Sequence, residues 1–416
     1  MNLKITDVER LTVDVSFREH PGFSMSRALW NWTVSEVCRV TTDTGIVGYG
    51  ETMIHVTWGR VNQVTIDRVM GKNPADLLWD DSLGAGLQMA LFDVVGKALG
   101  VPCHRLMGKQ VRDWAPISWW VIDMPPEDWV REAQDAMQQG YKNLKVKARP
   151  WFDIVEQVEA VCEVVPSSFK MDADFNTLLV NAGHAVPVLL ELEKFPNVAI
   201  FESPIPQHDI EGNRQIRARI TRPIAMHFGS PPYITGLEEE VCDGYVIGGG
   251  AAGTIRQGIL ASEANKPFWL QMVGAGLTTA FSAHLGAVLT HAQWPSVNCL
   301  NVYADDLLQE PLTIRDGFVR VPDAPGLGVE IDEESLERLK VPMNYEKPET
   351  RRIYTVIWPG GGRVHYTHAQ QYRHDFRAGN QPVFERGVRL EARDDDGSED
   401  FADLYNRARQ CPVRDV

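Results

Sequence analysis

The chain is short of everything that marks a membrane protein, a secreted scaffold or a nucleic-acid binder. Its six cysteines, Cys38, Cys103, Cys162, Cys242, Cys299 and Cys411, are scattered with no CxxC pair. That excludes a zinc ribbon or a dithiol redox motif and reads as free thiols in a reducing compartment. No apolar run approaches the roughly 20 residues of a membrane span. The opening Met1-Asn2-Leu3-Lys4-Ile5-Thr6-Asp7 has no apolar signal region. A cytoplasmic protein with no membrane partner is the expectation. Positive charge is scarce: 41 Lys and Arg stand against 56 Asp and Glu, a net charge of −15, which argues against nucleic acid as a partner. An acidic surface still leaves room for an anionic substrate where a local pair of lysines overrides it. A Gly-rich phosphate loop is also missing. Met124-Pro125-Pro126-Glu127 stands where a doubly wound dinucleotide fold would carry one.

What is present is ordinary globular material, 44% hydrophobic and 23% charged. The 416 residues are more than one ordinary core takes. Residues 1–113 read as an α+β unit. Leu3–Val8, Leu11–Val15 and Ser35–Thr41 alternate apolar and polar. Thr42-Asp43-Thr44-Gly45 is a hairpin turn before Ile46–Glu51. Phe17–Trp32 reads as a long functional loop. Leu87–Leu99 has one apolar face and ends at Gly100, a helix with its C′ glycine. Residues 114–342 alternate strands with helices. Eight candidate strands, Pro116–Ile122, Asn143–Ala148, Phe169–Phe175, Val198–Ser203, Pro223–Phe228, Gly244–Ile247, Pro267–Met272 and Val297–Asn301, point to a closed α/β barrel. Beyond this the alternation dissolves. Residues 343–416 read as an extension, either a few strands or a segment laid on a neighbouring subunit.

Three of the barrel strands end alike. Phe169–Asn176, Val198–Pro204 and Pro223–Gly229 are short apolar runs that stop at Asp174, Glu202 and His227. Their spacing of about 25–30 residues leaves room for one strand, one helix and two loops, so the three side chains fall on the catalytic face of a parallel barrel. Two carboxylates buried together need a positive neighbour. A divalent cation is the simplest, and oxygen donors favour Mg²⁺ or Mn²⁺. Alternation puts Lys145 and Lys147 on one face of the second strand. Crowding and desolvation suit such a lysine to take a proton from carbon.

With these residues in hand the chain from about 1 to 342 resembles the enolase superfamily, in its mandelate racemase/muconate lactonizing enzyme group. The matching segments are Leu91-Phe92-Asp93-Val94-Val95-Gly96-Lys97-Ala98-Leu99-Gly100, Lys145-Val146-Lys147, Asp174-Phe175-Asn176, Glu202-Ser203-Pro204, Ile247-Gly248-Gly249 and Pro325-Gly326-Leu327-Gly328-Val329. The resemblance implies a modified TIM barrel, (β/α)7β, under an N-terminal α+β capping domain. It implies Mg²⁺-assisted removal of a proton α to a carboxylate, with the enediolate stabilised by the metal and a lysine. It also implies that Phe17–Trp32 and the turn near His55 close over the substrate. His227 departs from the group's carboxylate at the third ligand position. Its nitrogen suits Mn²⁺, Fe²⁺ or Zn²⁺ better than Mg²⁺, or makes it an acid or base beside a two-carboxylate site. Asp243 matches the Asp of the group's His–Asp dyad, but Gln271 stands where the His belongs, and Tyr245-Val246-Ile247 replaces the sixth-strand Lys.

The expected reaction is therefore one-sided: dehydration of a sugar acid to a 2-keto-3-deoxy acid. Lys147 is the base, and His227, His20, Tyr245 or water is the acid. Asn176, His20 and Tyr245 are the expected substrate contacts. A racemase, epimerase or cycloisomerase, or a binding protein that has lost its chemistry, are the alternatives. A small-molecule carboxylate is the expected partner, and a homo-oligomer the expected assembly.

Overall fold

The computed structural model describes residues 3–56 and 59–415. The N-terminal strands form one antiparallel sheet in the order Lys340–Val341, Ile5–Asp14, Val34–Thr42, Val47–Met53. The two short strands read near the N-terminus are one continuous strand. The helix Ala85–Leu99 packs on this sheet and is buried on nearly every side from Gly86 to Gly96. Gly100 ends it with φ 68°. Phe17–Trp32 is not the loop expected from its Gly, Ser and aromatic content. It holds a helix, Glu19–Ala28, and a short 3-10 turn, Trp30–Thr33. Pro21 sits in the helix's first turn, where its missing N–H costs nothing.

Seven parallel strands follow, each hydrogen-bonded to the next: Trp119–Val121, Asn143–Lys147, Lys170–Asp174, Val198–Glu202, Ile224–His227, Gly244–Ile247 and Phe268–Leu270. Helices lie between them, from Pro126–Gln138 to Ala251–Glu263, and Gly276–Val288 follows the seventh. The eighth strand is reduced to two bridging residues. Ser296 pairs with Ile117 beside the first strand and Val297 with Gln271 at the end of the seventh, both parallel. Cys299, at φ 62°, then turns the chain into a 3-10 turn. The fold is a (β/α)7β barrel with a capping sheet. Gly248, after the sixth strand, meets a tight approach: a Cβ there would stand 2.4 Å from the Gln271 carbonyl oxygen.

The closing segment Pro325–Val329 stitches cap to barrel. Asp93 accepts the backbone N–H of Tyr49 at 3.0 Å and of Leu327 at 2.8 Å, and pairs with Lys97 at 2.7 Å. Gly326 has φ 76°, and a Cβ on it would stand 2.1 Å from Asp93 Oδ1. His284 donates to the Leu327 carbonyl at 3.0 Å and accepts the His104 N–H at 3.3 Å. Burial pushes its pKa down to about 4. The unfolded chain then takes up this proton near pH 6.5 and the folded one only near 4. The stability it confers is complete above pH 6.5 and is lost as pH falls toward 4, about 3 kcal/mol in all. The urea midpoint should drop more between pH 7 and pH 5 in the parent than in His284→Gln. Equal slopes would contradict it.

Residues 352–415 form a separate four-stranded antiparallel sheet in the order Arg389–Asp394, Arg352–Ile357, Arg363–Tyr366, Val413–Asp415, with helices Ala369–Arg377 and Glu399–Gln410. This module packs on its own chain, at the C-terminal ends of the first three barrel strands and on the helix Glu19–Ala28. Phe384 meets Phe175 with ring centroids 5.5 Å apart, and Tyr372 meets Trp151 at 4.6 Å. Asp153 accepts from Arg386 at 2.8 Å and from the Gly387 N–H at 2.7 Å. Arg352 lies over Phe23 at 4.1 Å.

Candidate active site

Strand register decides what faces the barrel interior. Lys145 pairs with Asp172, Lys147 with Asp174, Asp174 with Glu202 and Glu202 with Ala225. Side chains of paired residues in a parallel ladder share a face, and alternation carries it two residues on to His227. Lys145, Lys147, Asp174, Glu202 and His227 therefore converge on one rim, at the C-terminal ends of strands two to five. Lys145 is 1% exposed and contacts the Glu202 carboxylate, with Asp174 Oδ2 4.0 Å away. It also lies 4.7 Å from the Trp269 ring centroid. Lys147, 17% exposed, contacts Asp174 and lies 3.4 Å from Asn176 Oδ1. His227 is 46% exposed, with Nε2 3.1 Å from Glu202 Oε1. Lys145, Asp174 and Glu202 make the floor, and Lys147 and His227 face the mouth.

The charges interlock. Burial would raise the Asp174 pKa, but Lys147, Lys145 and Arg149 hold it well below the usual carboxylate range. Burial and Asp174 push Glu202 up, and Lys145 and His227 bring it below its ordinary value. Burial opposes a charged His227, yet the Glu202 carboxylate outweighs it and holds the imidazole above its ordinary pKa. One layer deeper, burial pushes Asp172 up to about 7 although Lys145 opposes it. Asn143 donates to Asp172 at 3.0 Å.

Asn176 closes the second side of Lys147. Its N–H donates to Asp174 Oδ1 at 2.8 Å, and its Oδ1 accepts from Arg149 at 2.5 Å. Arg149 also donates to the Asp174 carbonyl at 3.1 Å and is buried. Sequence reading missed Arg149. The signal was there, because Lys145-x-Lys147-x-Arg149 continues the alternation past the strand end.

Other expected residues stand elsewhere. Asp243 precedes the sixth strand and lies at the opposite rim, bound by Arg217 at 2.6 Å and by the Ile224 N–H at 2.9 Å. It belongs to a surface ion pair there and has no part in a dyad. Tyr245 pairs with Met226, so it faces outward. Its ring packs on Phe228 and Tyr233 at 5.2 and 5.9 Å. His20 has both ring nitrogens engaged, by Glu132 at 2.9 Å and Asp128 at 3.0 Å on the helix Pro126–Gln138. Gln271 shares the inward face of Trp269 and lines a cavity of about 50 Å³ between cap and barrel, with Glu51, Met53, Gln88 and Thr278. Burial pushes Glu51 up to about 7. It accepts the Thr278 N–H at 2.8 Å and joins cap to barrel.

The donor chemistry at the rim fits a divalent ion. Asp174 and Glu202 are buried carboxylates at neighbouring strand ends, with the His227 imidazole 3.1 Å from Glu202 Oε1. Among the described residues, no three His, Cys, Asp or Glu side chains stand as a ready cage. The Lys145 ammonium lies against both carboxylates.

Comparison with known proteins agrees with this architecture. Residues 128–335 match the family model described as Enolase C-terminal domain-like. An N-succinyl-L-Arg/Lys racemase of Bacillus cereus is 24% identical over 82% of this chain and 98% of its own length. An arabinonate dehydratase of Saccharolobus solfataricus is 24% identical over 72% of this chain and 89% of its own. The structure of a muconate lactonizing enzyme from Pseudomonas fluorescens superposes with a TM-score of 0.69 at 21% identity, over 82% of this chain and all of its own. That enzyme and the racemase leave about a fifth of this chain unmatched, the size of the C-terminal module. Barrel, cap, lysine pair and family model converge: the chain belongs to the enolase superfamily, within the mandelate racemase/muconate lactonizing enzyme group.

Proposed function

We propose that this protein removes the proton α to a carboxylate and dehydrates a sugar acid to a 2-keto-3-deoxy acid. The observation that carries the reading is the lysine pair on the inward face of the second strand, seated over Asp174 and Glu202. Lys147, at the mouth, is the base. As the α C–H bond breaks, negative charge spreads onto the substrate carboxylate, and the buried Lys145 ammonium lies where it stabilises that charge. His227 faces the same mouth, and the Glu202 carboxylate favours its protonated form. Its proton goes to the β-hydroxyl, which leaves as water, and the enol product tautomerises to the keto acid. Asp174 and Glu202 would hold a divalent ion, which supplies further stabilisation of the enediolate charge when bound. An imidazolium is an acid rather than a ligand, so His227 acts better as proton donor than as third donor atom.

The relatives include both dehydratases and racemases. Gln271 favours the first. Its amide carries no proton back to the opposite face, so two-sided exchange lacks a partner on the seventh strand. Incubation with a panel of sugar acids in D2O tests the reading. A 2-keto acid should form from at least one of them. Deuterium at the α-carbon without elimination would mean a racemase instead. Acids returned unchanged and unlabelled would end the proton-abstraction reading.

A further inference from the structure

The cavity between cap and barrel lies beside the lysine pair but outside the reacting groups, and Gln271 stands between the two. It follows Trp269 by two residues on the inward face of the seventh strand. The Lys145 ammonium lies 4.7 Å from the Trp269 ring centroid, so Gln271 is one step nearer the mouth, across from Lys147. On its other side the cavity is closed by the cap strand Val47–Met53 and the first turn of the helix Gly276–Val288.

Most polar groups around this space are already paired. Gln88 accepts the Ala251 N–H at 2.9 Å and donates to the Leu78 carbonyl at 2.8 Å. The Thr52 hydroxyl accepts the Gly86 N–H at 2.8 Å. Two groups are left over. The Gln271 amide has no hydrogen-bond partner among the described residues. Glu51 uses Oε1 for the Thr278 N–H at 2.8 Å, and its buried Oε2 has no partner. Burial, opposed by Thr278 and the Ala275 N–H, holds the Glu51 pKa at about 7. Near neutral pH such a carboxyl accepts from a hydroxyl or donates to one. A buried oxygen left unmatched is costly. The space is about 50 Å³, where a single water takes roughly 10–15 Å³. It admits a hydroxymethyl group and is too small for a ring.

We propose that Glu51 and Gln271 select the far end of the substrate: an aldonic acid whose carboxylate end lies beside Lys147 and whose terminal hydroxyl enters this cavity, donating to Glu51 Oε2 and accepting from the Gln271 amide. This rests on the proton-abstraction reading for the end at Lys147 and narrows its substrate class. An eight-stranded barrel is only wide enough for side chains, so a chain of about six carbons crosses its mouth. A terminal methyl fits the space but leaves Oε2 unmatched. A terminal carboxylate meets Glu51 with like charge.

The test is calorimetric binding to the full chain in Mg²⁺ buffer. Galactonate, gluconate and mannonate are each set against their 6-deoxy and aldarate counterparts. The best-bound hexonate should exceed both of its counterparts by at least about tenfold. Gln271→Leu should narrow the gap to the 6-deoxy acid. Glu51→Gln, which keeps an acceptor for the Thr278 N–H, should narrow it too and admit the aldarate better. On a hexonate that is turned over, both variants should raise KM, with the KM of its 6-deoxy counterpart left in place. No binding of any hexonate, equal affinity for hexonate and 6-deoxy acid, as a cavity holding only water would give, or a gap that survives both substitutions would overturn the proposal. A gap that closes in the variants while no acid gains α-deuterium would uphold this site and sink the proposed reaction. Keto-acid formation at equal kcat/KM from a hexonate and its 6-deoxy counterpart would do the opposite.

Discussion

Lys147→Ala should lower turnover by at least about 100-fold, the lower end of what a positioned general base contributes, with the fold intact. The side chain is part-exposed, and Asp174 keeps the Arg149 charge and Lys145 at 4.0 Å when Lys147 is gone. Lys147→Arg should fail equally. A guanidinium keeps the positive charge beside Asp174 but does not shed its proton at neutral pH. The two variants therefore separate a base from a mere counter-charge: recovery in Lys147→Arg would show that only the charge matters. Lys145→Met makes a useful contrast. It leaves Glu202 and Asp174 facing each other in the floor, and removing one partner of a buried ion pair costs about 3–5 kcal/mol. Its first effect should be on the melting temperature. Activity in D2O and denaturant midpoints of the three variants check these expectations.

The second large effect is expected at the joint between the module and the barrel. Arg27→Met should destabilise the protein by about 3–5 kcal/mol, because Asp123 is left charged and buried. The Arg27 guanidinium and the Trp151 indole both donate to Asp123 Oδ2, at 2.7 and 2.6 Å. Asp123 Oδ1 already lacks a hydrogen bond, and the Arg149 and Arg373 charges act on the carboxylate without hydrogen-bonding it. Adding Asp123→Asn should recover part of the loss by removing the stranded charge, leaving the Trp151 indole an amide oxygen to donate to. Urea unfolding of the single and double variants decides it. A double variant no more stable than Arg27→Met would show that the cost lies in packing around the guanidinium stem, not in the charge.

Much of the architecture was legible because barrel strands buried on both faces read as short apolar runs with abrupt polar ends. The eight runs fell on the eight positions of the barrel, the last reduced to Ser296 and Val297. Lys145, Lys147, Asp174, Glu202 and His227 were legible for the same reason, since alternation and strand ends fix both face and rim. The misreadings were one step of the same logic. Asp243 was counted against the sixth strand without asking which end it occupies. Tyr245 was placed without the register that turns it outward. Glu19–Ala28 was lost to the Gly, Ser and aromatic content of Phe17–Trp32, which reads as a loop. The role of residues 343–416 was illegible because their contacts are long-range: Tyr372 with Arg27, Phe384 with Phe175, and Arg386 with Asp153.

The clasp on Glu19–Ala28 has a consequence for traffic. This helix is held from one side by Asp128 and Glu132 through His20, and from the other by Tyr372 and Arg352. A gate on this flank would have to break a buried guanidinium–carboxylate pair at every cycle. Under the proposed reaction the way to and from Lys147 would then lie past the part-exposed imidazole of His227, and a bulky side chain placed there should slow product departure before it touches the chemistry.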